Sequence, residues 1–159
     1  SIFLKNNKQP PVFVQDNHSK SAKGILRGLH IQKEPFSQGK LIRCISGKIF
    51  DVAVDIRVGS PSFGKWVGQI LDDRLHQQLW IPSGFAHGFQ SLESTTVVHY
   101  KCAENFWSPK CEQTIRFNDP SIGISWPLDV TKVHDRDRCA PNLKKLNILP
   151  IYTQKLSHA

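Results

Sequence analysis

An all-β fold, an antiparallel sandwich or barrel, is what this 159-residue sequence predicts, and three observations predict it. Short runs rich in Val, Ile and Phe recur from residue 12 to residue 102. Clusters of Gly, Pro, Ser and Asn separate them at short intervals. Little of the chain carries the 3.6-residue period of an amphipathic helix. The expected organisation is one domain over 1–159, with a lead-in over about 1–11, a β core over 12–127 and a C-terminal segment over 128–159.

The elements follow in order. Residues 1–11 are polar and end in Pro10-Pro11, so they read as a loose lead-in. Residues 12–17 are short and β-like, with Gln15, Asp16 and Asn17 close together. Residues 24–32 alternate apolar Leu29 and Ile31 with His30 and Gln32, the period of a half-buried strand. Pro35 and Gly39 mark the connection over 33–39. Residues 40–45 and 48–57 are β-rich runs around Ser46-Gly47, which predicts a hairpin turn. In the second run Phe50, Val52, Val54 and Ile56 share one face, and Asp51, Ala53 and Asp55 the other. Further strands are expected over 65–71, 79–81, 85–92 and 95–102, with turns at Gly59-Ser60-Pro61 and Pro82-Ser83-Gly84. From Phe106 onward the pattern is irregular, broken by Pro109, Pro120, Pro127 and Pro141. Residues 135–139 can form one helical turn, and 143–159 a final helix or tail.

Composition excludes several classes. The chain is 39% hydrophobic and 21% charged, which is ordinary for a globular domain and unlike a disordered one. No apolar run nears the roughly 18 residues of a membrane helix, and nothing resembles a signal peptide, so the expected compartment is the cytoplasm. The formal charge of +8 suits an anionic ligand. Its lysines and arginines are scattered, however, and no basic segment interleaved with aromatics argues for nucleic acid. Cys44, Cys102, Cys111 and Cys139 form no C-x-x-C pair, and they read as four reduced thiols. The chain has no methionine, including at position 1, consistent with a piece of a longer chain.

His30 is the first candidate for chemistry. It projects from one face of a strand, and a histidine with an ordinary pKa of about 6.5 exchanges protons near neutral pH. Taken alone it is more often a structural residue than a catalyst.

Longer motifs carry more. Arg27-Gly28-Leu29-His30-Ile31-Gln32, Gly39-Lys40-Leu41-Ile42-Arg43 and the run 50–57 resemble the dTDP-4-dehydrorhamnose 3,5-epimerase family. So do Gly59-Ser60-Pro61-Ser62-Phe63-Gly64 and the run ending in Gly84-Phe85-Ala86-His87-Gly88-Phe89. Asn118-Asp119-Pro120 and Ile122-Gly123-Ile124-Ser125-Trp126-Pro127 extend the resemblance, which covers roughly 13–141 in the family's order and spacing. It implies a cupin-like antiparallel jelly roll with a short irregular or helical C-terminal segment. It also implies a homodimer with no metal and no organic cofactor, acting on a dTDP-linked 4-keto-6-deoxy sugar. The residues agree on metal, because a catalytic metal needs three convergent protein ligands. His30 and His87 lack the His-x-His spacing that would supply them.

Epimerisation beside a ketone needs a base, a partner for the enolate oxygen and an acid across the ring. By resemblance His30 is the base, Asp137 its orienting carboxylate, Lys40 the enolate partner and Tyr100 the acid, with His87 lining the same pocket. Gln15 and Asn17 match positions that hold the nucleotide or sugar, Arg27 a diphosphate contact, and Glu112 and Arg136 weaker contacts. Arginine suits a diphosphate because its planar fork donates two parallel hydrogen bonds. Strict alternation separates Arg27 from His30, so Gly28 is expected to mark a bulge.

Two departures stand out. The family's Arg-Gly-x-Phe element, which helps bind the nucleotide and often does so across the dimer, is not found in this chain. Where the family shows paired tyrosines after Tyr100, this chain has Phe106-Trp107, one residue further on. Trp107 can stack on a base or sugar but offers no phenol, so exchange at C5 is expected to lag exchange at C3. Three functions follow as expectations. The first is a 3,5-epimerase making dTDP-4-dehydro-L-rhamnose from dTDP-4-dehydro-6-deoxy-D-glucose. The second is a relative that inverts one carbon or uses another nucleotide sugar, and the third a catalytically idle binding jelly roll.

Overall fold

The computed structural model describes residues 11–147 and 149–152, and in them ten strands build two facing sheets. They are β1 (Phe13–Ser21), β2 (Ile25–Gln32), β3 (Gly39–Ser46), β4 (Lys48–Asp55), β5 (Trp66–Asp72), β6 (Gln78–Ile81), β7 (Phe85–Ser91), β8 (Thr96–Ala103), β9 (Glu112–Thr114) and β10 (Lys132–Val133). One sheet runs β1-β8-β3-β6, and the other runs β10-β2-β7-β4-β5 with β9 also on β2. This is the jelly-roll arrangement, in which the chain passes from sheet to sheet at most connections but β4 and β5 pair directly.

The eight longer strands lie where the pattern places them. Ser46-Gly47 is a correction. β3 pairs with β6 and β8, and β4 pairs with β5 and β7, so no hairpin joins β3 to β4. Only Gly47 separates the two strands, too few residues for a hairpin loop. With φ +79° and its N–H donated to Asp73 Oδ2 at 2.7 Å, Gly47 turns the chain from one sheet to the other.

Alternation along the strands produces two cores. Ile42, Cys44, Ile49, Ala53, Leu71, Ile81, Phe89 and Val98 fill the space between the sheets. Leu29, Ile31, Val52, Val54, Ile56 and Ala86 form the far face of the larger sheet. The segment after Phe106 covers that far face with Ile115, Ile122 and Leu143. Each buried aliphatic side chain there contributes about 1.5–3 kcal/mol. The segment reads as irregular because it lies over the sheet rather than extending it. Asp119 ties it down, accepting Leu143 N–H at 2.6 Å on one oxygen and Ser121 N–H at 2.8 Å on the other.

Two short strands were not legible in the pattern. β10 runs parallel to β2 at Ile25 and Leu26, and β9 runs antiparallel to it at His30, Ile31 and Gln32. The helical turn is α1 (Asp135–Arg138), its start capped by the His134 side chain. The expected helix or tail over 143–159 begins as a three-residue 3-10 turn, Leu143–Lys145, and a bridge from Val58 to Ile151 follows. Residues 1–10, 148 and 153–159, with the predicted lead-in and the end of the tail, lie outside the described residues. No described helix is long and apolar enough to cross a membrane.

Candidate active site

A cavity of about 350 Å³ opens between the sheets. β1, β3 and β8 supply one wall and β2 and β7 the other. Period-2 alternation sends His30 and Gln32 of β2 toward it while Leu29 and Ile31 enter the core behind. On β8 the alternate residues Tyr100 and Cys102 face in, and Lys40 of β3 pairs with Cys102 across the strands.

Gly28 makes the geometry of β2 work. The β2–β7 register shifts between Arg27 and His30, the expected bulge, and both side chains line the same cavity. Gly28 has φ +125°, and a Cβ there would lie 2.5 Å from Gly88 Cα. No residue with a side chain fits so close an approach of two backbones. Beyond the bulge His30 stands directly opposite His87.

Each histidine is backed by a buried carboxylate. His30 Nε2 lies 2.8 Å from Asp137 Oδ1, and Gly28 N–H donates to Asp137 Oδ2 at 3.1 Å. His87 Nε2 lies 2.9 Å from Asp51 Oδ2. A carboxylate accepts only, so the His30 proton sits on Nε2 and leaves Nδ1 with its lone pair. Burial pulls the His30 pKa down by more than the Asp137 hydrogen bond and charge raise it, so it lies below 6.5. The imidazole is therefore neutral at neutral pH, the form that accepts a proton. Burial pushes the Asp137 carboxyl up, but the hydrogen bond and charge of His30 and the Gly28 N–H hold it below 3.8. Burial raises the Tyr100 phenol, which stays protonated at neutral pH. It also lowers the Lys40 ammonium, against the attraction of Cys102, Glu112 and Asp51.

The rim carries the remaining groups. Arg136 pairs with Glu112 Oε2 at 2.8 Å and reaches Asp137 Oδ1 at 3.4 Å. Arg27, held by Ser21 Oγ at 3.1 Å, adds a second guanidinium. Gln15 donates to Asn17 Oδ1 at 2.9 Å, and Asn17 donates to Cys102 Sγ at 3.5 Å. Trp107 is 48% exposed at the edge. The arrangement has a neutral imidazole, a lysine amine and a phenol around one space, with two guanidiniums at its mouth. It can take a proton from carbon, hold an oxyanion and bind an anionic tail.

Gln15, Asn17, Arg27, His30, Lys40, His87, Tyr100, Trp107, Glu112 and Arg136 all line this cavity, and Asp137 stands behind His30. Sequence reasoning missed Asp51. Its signal was a carboxylate in the apolar run 50–57, since a fully buried acid is rare unless paired. Gln32 and Gln38 also line the cavity.

Comparison with known proteins agrees with this geometry. The family description "dTDP-4-dehydrorhamnose 3,5-epimerase" matches residues 3–145. The dTDP-4-dehydrorhamnose 3,5-epimerase of Shigella flexneri is 56% identical over 125 residues, 79% of this chain and 68% of that protein. A crystal structure of the Legionella pneumophila 3,5-epimerase in complex with dTDP-4-keto-L-rhamnose superposes with a TM-score of 0.89 at 44% identity. It covers 96% of this chain and 81% of that one. A 3'-monoepimerase from Streptomyces bikiniensis in complex with dTDP-quinovose superposes at 0.82 with 35% identity, covering 88% and 72%. With the family's description matching nearly the whole described chain, and the fold and identity in agreement, this chain belongs to the dTDP-4-dehydrorhamnose 3,5-epimerase family.

Proposed function

We propose that this chain is an isomerase converting dTDP-4-dehydro-6-deoxy-D-glucose to dTDP-4-dehydro-L-rhamnose by inverting C3 and C5. The observation that carries the reading is the His30–Asp137 pair, 2.8 Å apart, in a cavity shared with Lys40 and Tyr100. His30 Nδ1 takes the proton from the carbon beside the ketone. The C–H electron pair moves into an enolate, whose oxygen Lys40 stabilises. Tyr100 returns a proton to the opposite face. Arg27 and Arg136 bind the diphosphate, Gln15, Asn17 and Glu112 the nucleotide or sugar, and His87 the sugar from beside His30. No step calls for a metal or organic cofactor. The same reading includes a homodimer in the cytoplasm, and a molar mass of two chains in solution supports the dimer while one chain refutes it.

A second reading, inversion at C3 alone, draws on Phe106-Trp107, which place no hydroxyl at the rim. Deuterium incorporation from solvent, followed by NMR at each carbon, separates the readings. Exchange is expected at both carbons, more slowly at C5. Exchange confined to C3 replaces the proposal with the second reading, and exchange at neither carbon leaves a binding protein.

A further inference from the structure

The segment 105–108 carries Trp107 along the cavity rim, and three glutamines hold its backbone. Gln38 Nε2 donates to Asn105 O at 2.7 Å. Trp107 N–H donates to Gln15 Oε1 at 2.8 Å, and Ser108 N–H donates to Gln32 Oε1 at 3.0 Å. Gln15 comes from the smaller sheet, Gln32 from the larger, and Gln38 from the connection between β2 and β3. The amide of Asn105 returns a bond to Ser37 O at 2.9 Å. Without such bonds, backbone groups between two sheets would take water, and the segment would sample many conformations.

Gln32 is the anchor on the larger sheet. It is 5% exposed and lies two residues beyond His30 on the same strand face. Its orientation is fixed, because only Oε1 can accept the Ser108 N–H. Gln32 Nε2 is buried without a partner among the described residues, and Oε1 carries the bond to Ser108. Two residues of strand span about 6.6 Å, which sets Gln32 apart from the base.

We propose that Gln32 is a positioning residue, which with Gln15 and Gln38 fixes segment 105–108 and so presets Trp107 as a rigid wall for the nucleotide sugar. The inference rests on the reading of the chain as an epimerase of a dTDP-linked sugar. A wall set before binding removes an ordering cost from association, so its loss weakens binding and leaves the chemical step alone.

The test is steady-state kinetics of Gln32→Met, alone and combined with Trp107→Ala. Gln32→Met is expected to raise KM about 10-fold with kcat within about 2-fold of wild type. In the Trp107→Ala background it is expected to add little, because the residue it positions is gone. An unchanged KM, a loss confined to kcat, or an equal KM increase in both backgrounds overturns the proposal. If Gln32→Met melts far below wild type, Gln38→Met reads the segment from its other end with the same expectations and the same overturning results. Absence of exchange in the wild-type protein refutes the epimerase reading itself. Wild-type exchange with unaltered KM in these variants refutes only the role of the glutamines.

Discussion

His30→Ala lowers turnover by about 10²- to 10⁴-fold while the protein keeps its fold. The site offers no equivalent base. His87 stands opposite and is backed by Asp51 in the same way, but its side chain is 6% exposed against 23% for His30. The fold survives because Asp137 still accepts Gly28 N–H and lies near the Arg136 guanidinium. Deuterium exchange at C3 and C5 is the measurement, with a thermal melt as the control for folding. Wild-type exchange in a folded variant refutes the assignment. The pH profile adds a second check. A base must be neutral to act, and burial holds the His30 pKa below its ordinary 6.5. The acid limb of kcat/KM for the wild type therefore falls below pH 6.5.

His30 illustrates what the sequence makes legible. Alternation from Leu29 to Gln32 assigns the strand and its two faces, because one face must enter a core. The same alternation, broken at Gly28, anticipates the bulge that returns Arg27 to the cavity side. What pairs with His30 is a different matter. Asp137 is 107 residues away, in a run of alternating charges that by itself reads as solvated surface. Only the family resemblance links the two. The physical link is the long tail, which crosses the larger sheet before α1 places Asp137 behind β2.

The Ser46-Gly47 turn fails as a hairpin for a related reason. Local composition specifies a turn, but which sheet the next strand joins depends on partners far along the chain. β9 and β10 escape notice because three residues and two residues are too short to show a period. Their partners are the exposed groups on the outer edge of β2. Asp51 and Gln32 belong to the same class, since a buried polar residue takes its meaning from a neighbour on another strand.

Asp137→Asn carries the second large effect, a loss of about 10²- to 10³-fold in kcat. The carboxylate has both oxygens in use, one toward His30 Nε2 and one toward Gly28 N–H. An amide has one oxygen, which can satisfy only one of these donors. With the oxygen kept on Gly28, the amide NH₂ faces Nε2 and requires a lone pair there. The imidazole proton then moves to Nδ1, the nitrogen that must accept the substrate proton, and the base is blocked. With the oxygen turned to His30, Nε2 keeps its proton but the imidazolium formed in the reaction loses its counter-charge. Either outcome lowers the rate of proton abstraction, while Arg27 is untouched and Arg136 loses only a 3.4 Å charge contact and keeps its 2.8 Å pair with Glu112. KM is therefore expected to stay within about 3-fold of wild type while kcat falls. The substitution also alters the response to acid. The native Asp137 pKa is depressed, so its stabilising contribution is present above 3.8 and is lost as pH falls through the folded value. Asparagine has no such titration, so the variant's melting temperature declines less steeply than the wild type's below pH 4. A variant with wild-type kcat means that Asp137 does not set the His30 tautomer.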